Sequence, residues 1–217
     1  LADSLKGPMS SLYDASRAAT RLVTHLLSLT ELGDDIPAAI GIGSVLHDAV
    51  SSREAYLIAN NVTVIRNDLD EECFVWASPP KLRRAMSHLL TNASALALAH
   101  GGGTIDVIID AGIDTVVLGL ETRGHQYPDA IVHFDPASFS PTLPQAVMTH
   151  ALAAGLLRAI GGRVEVVNTE TGARVLVSLP RASAEAVAQN RESYAPVAAG
   201  DVSPAKVTDS GVQPRVL

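Results

Sequence analysis

The chain has 217 residues, 47% of them apolar, which is enough to bury a core of one or two domains. Its net charge of −7 and its mostly isolated basic residues argue against nucleic acid as a partner, because phosphate contact requires a basic patch. The single cysteine, Cys73, rules out a disulfide framework, and no apolar run approaches the roughly 20 residues that span a bilayer.

A helical hairpin is predicted over residues 1–35. Its second helix, 10–32, carries apolar residues at helical spacing and so presents one broad apolar face. These residues are Leu12, Ala15, Ala19, Leu22, Val23, Leu26, Leu27 and Leu29. Gly33 ends this helix. Because a long amphipathic helix usually packs on another helix, we expect the chain to form a homodimer through residues 10–32.

Helical and strand patterns alternate through the rest of the chain. Helices are predicted at 42–59, 79–99 and 144–160, and strands at 62–67, 73–77, 104–110, 115–121, 163–168 and 173–180. Ser78 is expected to cap the central helix, with Pro79 as its first residue. This order predicts a mixed sheet with helices on one face, a two-layer α/β sandwich over 36–182. Residues 183–217 have little apolar periodicity and are expected to form a disordered tail.

Three segments resemble parts of sensor histidine kinases and their relatives in the GHKL ATPase superfamily. SPPKLRRAMSHLLTNASALA (78–97) resembles the N-box helix, in which His88 and Asn92 are the polar positions. LLRAIGGRVEVVNTETGARVLVSLP (156–180) resembles the closing helix, Gly-Gly turn and last two strands, and RLVTHLLSLTEL (21–32) resembles the second helix of the dimerisation hairpin. The resemblance implies a Bergerat-type mixed sheet behind a dimerisation hairpin.

The resemblance also implies a nucleotide site around Asn92. In the family the N-box Asn coordinates the Mg²⁺ that bridges the nucleotide phosphates, and an amide oxygen is a hard, neutral ligand suited to that ion. A retained site would use His88, Asn92, Glu121 and Gly124, with Asn92 as the metal ligand. The residues alone leave a structural alternative, in which Asn92 bridges backbone groups and His88 is a half-buried surface residue.

Several positions depart from the family's nucleotide motifs. Where the family has Asp-x-Gly-x-Gly, this chain has ETRGH (121–125), so Arg123 and His125 occupy both glycine positions. The second glycine-rich motif falls on VMTH (147–150), which contains no glycine. The expected Lys and Thr are Ala95 and Ala173. We therefore expect weak or absent ATP binding and no cofactor, with Mg-ATP as the ligand only if the site is active.

The phosphoacceptor histidine is not evident in this chain. DSLKGPM (3–9) imitates the family's acceptor motif with Asp3 at the histidine position, yet 28 residues separate Asp3 from Glu31, too few for a full hairpin. We expect the chain to begin near the end of the first hairpin helix, with any acceptor His upstream of Leu1. His25, on the second helix, is expected to be a structural side chain.

These observations predict a two-component signalling module in the cytoplasm, from a parent protein that could be tethered to a membrane upstream. The favoured interpretation is a pseudokinase or histidine phosphotransferase scaffold that docks a response-regulator receiver domain or a partner kinase. One alternative is an active ATP-dependent sensor kinase in which Asn92 holds Mg²⁺ and Glu121 binds adenine. Another is an interaction module without phosphotransfer.

Overall fold

The structure is a computed structural model that describes residues 36–66, 73–99, 101–135 and 144–193. The predicted hairpin over 1–35, with Asp3 and His25, lies outside the described residues. The strands are β1 (Ala38–Gly41), β2 (Val62–Arg66), β3 (Phe74–Ala77), β4 (Gly103–Ala111), β5 (Thr115–Arg123), β6 (Arg163–Thr169) and β7 (Gly172–Pro180). The helices are α1 (Ile42–Ser51), α2 (Glu54–Ala59), α3 (Pro79–Leu98), α4 (Asp129–Val132), α5 (Gln145–Ala159) and α6 (Ala184–Ser193).

Five of the strands form a mixed sheet in the order β2-β4-β5-β7-β6. β2 is parallel to β4, and the other neighbours are antiparallel. The alternating runs at 104–110 and 115–121 form the predicted hairpin, in which Ile109 lies opposite Leu118. The predicted α/β architecture with a mixed sheet is confirmed.

The core lies between one face of this sheet and a layer of helices. Alternate residues of the strands are buried on that face, as expected where one side of a sheet is covered. α3 occupies the middle of the helical layer, because it packs against α1 on one side and α5 on the other. Its fully buried side chains include Leu82, Met86, Leu89 and Leu90. None of the helices in the described ranges is long and apolar enough to cross a bilayer.

The prediction of a single helix over 42–59 is wrong, because this segment forms two helices, α1 and α2. The Ser52 hydroxyl turns back to donate to the Ala49 carbonyl at 2.9 Å. Arg53 leaves the helical conformation and donates to the Ser87 hydroxyl on α3 at 3.0 Å. The contact between Arg53 and α3 therefore ends the helix, although the helical pattern of the sequence continues past Arg53. At the start of α3, Ser78 occupies the cap position, but its side chain makes no capping hydrogen bond.

A second, two-stranded sheet was not predicted as such. β1 pairs antiparallel with β3, with Ala39 opposite Trp76. Val75 and Ala77 of β3 are buried in the core, so by strand alternation Phe74 and Trp76 point to the other face of this small sheet.

The predicted start of the disordered tail at residue 183 is too early, because Ala184–Ser193 form α6. The Ser183 hydroxyl accepts a hydrogen bond from the Ala186 amide, and the Asn190 side chain donates to the Ala39 carbonyl on β1 at 2.6 Å. Alanine-rich segments favour helix even without an amphipathic pattern. β1 supplies the surface on which this weakly patterned segment packs.

Candidate functional site

Asn92 lies in the middle of α3 and faces the start of α5. Its side chain is 5% exposed. Its amide nitrogen donates to the Ala146 carbonyl at 2.8 Å, across 54 residues of sequence. His88 is half-buried one helical turn earlier, on the same face of α3. The N-box amide therefore joins two neighbouring helices.

The first turns of α5, whose start Asn92 contacts, carry buried side chains. Residues 147–150 are all buried, with Val147 at 3% and Thr149 at 7% exposure. The Thr149 hydroxyl donates to the Gln145 carbonyl at 2.8 Å, within the helix. These are the positions where the family's second glycine-rich motif was expected. They carry packed side chains in a regular helix.

His150 connects α5 to the segment that follows α4. Its ring lies edge-on to the ring of Phe134, with centroids 5.6 Å apart and planes at 79°. Burial lowers the pKa of His150 below its usual value, because the charged imidazolium loses its hydration. The side chain is therefore neutral at pH 7 and packs as an aromatic ring.

Glu121 lies on the opposite side of the sheet from Asn92. Its strand neighbours Leu120 and Thr122 are 1% exposed in the core, so alternation turns Glu121 to the outer face. There its carboxylate accepts a hydrogen bond from the Arg174 guanidinium at 3.1 Å. Of the four residues expected at a nucleotide site, the structure brings His88 and Asn92 together and places Glu121 elsewhere.

A second ion pair lies beside this one on the outer face. Arg123 contacts Asp106 at 3.1 Å, and Asp106 sits opposite Glu121 in the β4–β5 register. The Asp106 side chain is only 8% exposed. Sequence reasoning missed this network. Part of its signal was available, because Asp106 lies between Ile105 and Val107, and strand alternation turns it away from these apolar neighbours.

The loop after β5 is fastened to the β6–β7 turn. Gly124 has a φ of 79°, which favours glycine, and its amide donates to the Thr171 carbonyl at 2.6 Å. Asn168 both donates to the carbonyl and accepts from the amide of Tyr127, each at 2.8 Å. Gly124 therefore links this loop to the β6–β7 turn. Asn168 holds the backbone of Tyr127 in place, a role that the sequence did not reveal.

No group of three or more His, Cys, Asp or Glu side chains that could hold a metal ion occurs in the described ranges. Three hollows whose lining residues are all described lie around α6, and Asn92 lines none of these three.

The comparisons agree with the resemblance read from the sequence. The chain is 27% identical over 175 residues to the C4-dicarboxylate transport sensor protein DctB of Pseudomonas aeruginosa, covering 79% of this chain and 29% of that protein. The catalytic domain of the histidine kinase ThkA superposes with a TM-score of 0.57 at 16% identity, covering 67% of this chain and 97% of that domain. The chain has the fold of a histidine-kinase catalytic domain.

Other solved kinases share this histidine-kinase fold. The ATP-binding domain of PrrB from Mycobacterium tuberculosis gives a TM-score of 0.52 at 19% identity, covering 69% of this chain and 100% of that one. The mycobacterial sensor histidine kinase MprB gives 0.55 at 16% identity, covering 67% and 98%. No family model matches the chain. The resemblance to sensor histidine kinases is thus confirmed, for a chain that spans 29% of the length of the curated relative.

Proposed function

We propose that this histidine-kinase-like domain has lost nucleotide binding and serves as the scaffold of a two-component phosphotransfer module. The observation that carries the proposal is the contact between Asn92 and the start of α5. The side chain whose amide oxygen binds Mg²⁺ in the family is held here through its amide nitrogen, which donates to the Ala146 carbonyl of the neighbouring helix at 2.8 Å.

Two features of the described residues support the loss of Mg-nucleotide binding. A phosphate site of this type needs bare backbone amides at a helix N-terminus, which glycines provide because they lack a Cβ. This helix instead buries Val147 and Thr149 against its neighbours. Glu121, the remaining candidate for binding adenine, is paired with Arg174 on the other face of the sheet.

The partners follow from the resemblance and from the solved relatives. ThkA has been solved in complex with the response regulator TrrA; that kinase matches with a TM-score of 0.57 at 16% identity, covering 82% of this chain and 52% of its own. We propose that this module also docks a receiver domain. In this proposal residues 1–35 form the dimerisation hairpin and residues 36–182 form the scaffold domain.

The competing function is an active ATP-dependent kinase. ShkA, which matches with a TM-score of 0.58 at 20% identity, was solved with AMPPNP bound. In that case Asn92 would turn its amide oxygen to Mg²⁺, and a nucleotide would have to displace the side chains at the start of α5.

One experiment separates the candidate functions. The longest natural form of the protein is incubated with radiolabelled Mg-ATP, or with a receiver domain encoded nearby that has been phosphorylated by labelled acetyl phosphate. The proposal predicts label from the receiver and none from ATP. Label from ATP would support the active kinase, and label from neither would support an interaction module without phosphotransfer.

A further inference from the structure

The outer face of the five-stranded sheet carries an apolar patch at its centre. Ile108 on β4 is 42% exposed and lies opposite Gly119 on β5, which in turn lies opposite Leu176 on β7. The half-buried Val117 and the exposed Val167, on the same face of β5 and β6, extend the patch. Single exposed apolar residues are ordinary, but a contiguous patch on an exposed sheet face is typical of a surface that contacts another molecule.

Gly119, at the middle of this patch, has no local reason to be glycine. It does not have the positive φ that favours glycine. A Cβ added there would lie 3.7 Å from the Leu176 Cδ2 and 3.8 Å from the Ile108 Cβ, which are ordinary contact distances. Glycine weakens the interior of a strand, and it is found there where another chain or a ligand approaches the backbone closely. Gly119 therefore indicates that a second surface lies against this face.

The charges around the patch make the face complementary to itself. Asp110 on β4 and Arg163 on β6 lie in one row across the sheet, three strands apart. Neither forms an ion pair with a described residue. In a parallel row, Glu121 on β5 lies beside Arg174 on β7. In both rows the acid lies toward β4 and the base toward β6.

A two-fold axis that runs along the strands, between β5 and β7, brings these charges together. Rotation about this axis lays a second copy on the face, so that each residue lies opposite the same row on the other side of the axis. Asp110 then faces Arg163 of the second copy. Glu121 faces Arg174 of the second copy in the same way. Both contacts join opposite charges, which favours this register over one that pairs like charges.

The same rotation brings the apolar residues together. Leu176 of each copy lies over Gly119 of the other, where the missing side chain lets the two sheets approach. Ile108 falls opposite Glu165, which lies on the edge strand β6 and can turn its carboxylate to water. The apolar centre is thus covered, and the charges lie around it.

The face is large enough for a specific contact. Sheets in aligned sandwiches pack about 10 Å apart. Four strands about 4.8 Å apart and up to nine residues long offer roughly 550 Å² per copy. Two copies then bury about 1,100 Å², slightly more than the roughly 1,000 Å² that a specific interface needs.

We propose that two copies of this chain pack face to face through the outer side of the sheet, with the two-fold axis between β5 and β7. The contact is a β-sandwich formed by two sheet domains. It goes beyond the proposed function, because it depends neither on the loss of nucleotide binding nor on the predicted hairpin.

Cysteine cross-linking of the full chain tests this arrangement. In the double variant Asp110→Cys with Arg163→Cys, each new thiol faces the other thiol of the second copy. Within one chain the two thiols lie three strand spacings apart, about 14 Å, too far for an ethylene-linked bis-maleimide. The native Cys73 is 2% exposed and does not react in the folded chain. We expect the double variant to give a covalent dimer on a denaturing gel.

The two single variants are the matched controls. Asp110→Cys alone and Arg163→Cys alone present likewise exposed thiols. In the two-fold arrangement, however, the two copies of either thiol lie more than about 14 Å apart and do not link. Equal cross-linking in the single and double variants would overturn the inference. It would also be overturned if the double variant gave no dimer while both thiols reacted with a fluorescent maleimide, because the face would then be free or belong to another partner.

Gly119→Lys in the double-cysteine chain tests the close approach at the centre. In a single sheet the lysine reaches water, but in the dimer it would lie under Leu176 of the second copy. Because an unpaired charge is costly to bury, we expect the cross-linked fraction to fall about tenfold or more. Gly155→Lys, on the open surface of α5, adds the same charge and should cross-link like the double-cysteine chain. Equal cross-linking in the two lysine variants, each shown to be folded by circular dichroism, would overturn the inference.

Discussion

Replacing Asn92 by alanine removes the amide that joins α3 to the first turn of α5. The lost hydrogen bond is 2.8 Å long and its donor side chain is 5% exposed, so water does not readily replace it. Because Ala146 lies within α5, its carbonyl keeps the helical hydrogen bond from the amide four residues on, so the loss of the Asn92 bond costs about 0.5–1.5 kcal/mol. For a chain of this size, that cost lowers Tm by roughly 2–4 °C per kcal/mol.

Urea denaturation of the full chain measures this loss, with two matched variants. Asn60→Ala removes an exposed amide that bonds only to the Tyr56 carbonyl four residues away, and it should change the free energy of unfolding by less than about 0.5 kcal/mol. Asn92→Asp keeps the shape but replaces the donor by a carboxylate, so it should destabilise at least as much as alanine. If Asn92→Ala leaves the unfolding free energy unchanged, the amide is not a structural link and the reasoning fails.

Three further predictions concern other parts of the core. Because burial lowers the pKa of His150, the unfolded chain binds a proton before the folded chain does as pH falls below about 6.5. Urea titrations should therefore show the free energy of unfolding falling between pH 6.5 and 5, by up to about 1.4 kcal/mol per pH unit. His150→Leu should show a flatter dependence on pH. The buried Tyr127 hydroxyl has no hydrogen-bond partner in the described part of the chain, so Tyr127→Phe should leave Tm unchanged or raised; a loss above about 1 kcal/mol would reveal a partner. A Cβ at Gly172 would overlap the Thr122 carbonyl, so Gly172→Ala should cost about 1–3 kcal/mol by the same assay, whereas Gly155→Ala, on an open helical surface, should not destabilise. Equal effects at the two glycines would contradict this packing.

Elements with strong periodicity were predictable from the sequence. α3 begins at Pro79 as expected, and the β4–β5 and β6–β7 hairpins follow their alternating patterns. β1 is only four residues of Ala, Ile and Gly, and it forms because β3 pairs with it. α6 lacks a pattern of its own and depends on the surface that β1 provides. Short elements of this kind are decided by tertiary contacts.

The candidate site was predictable in part. The resemblance located Asn92, but its partner Ala146 lies 54 residues away and is known only from the packing of α5 on α3. The outward direction of Glu121 follows from the alternation of Leu118 and Leu120 in the core, so the sequence did contain that information. A motif defined by residue type alone does not carry that information on strand face.

The claim that nucleotide binding is lost is tested most directly by isothermal titration calorimetry of the full chain with Mg-ATP. The packing of Val147 and Thr149 and the contact made by Asn92 predict no saturable heat up to about 1 mM nucleotide, a concentration at which a site of micromolar affinity would be filled. Saturable micromolar binding that disappears in Asn92→Ala, and persists in Asn60→Ala, would contradict the proposal and establish Asn92 as a ligand of the nucleotide-bound metal.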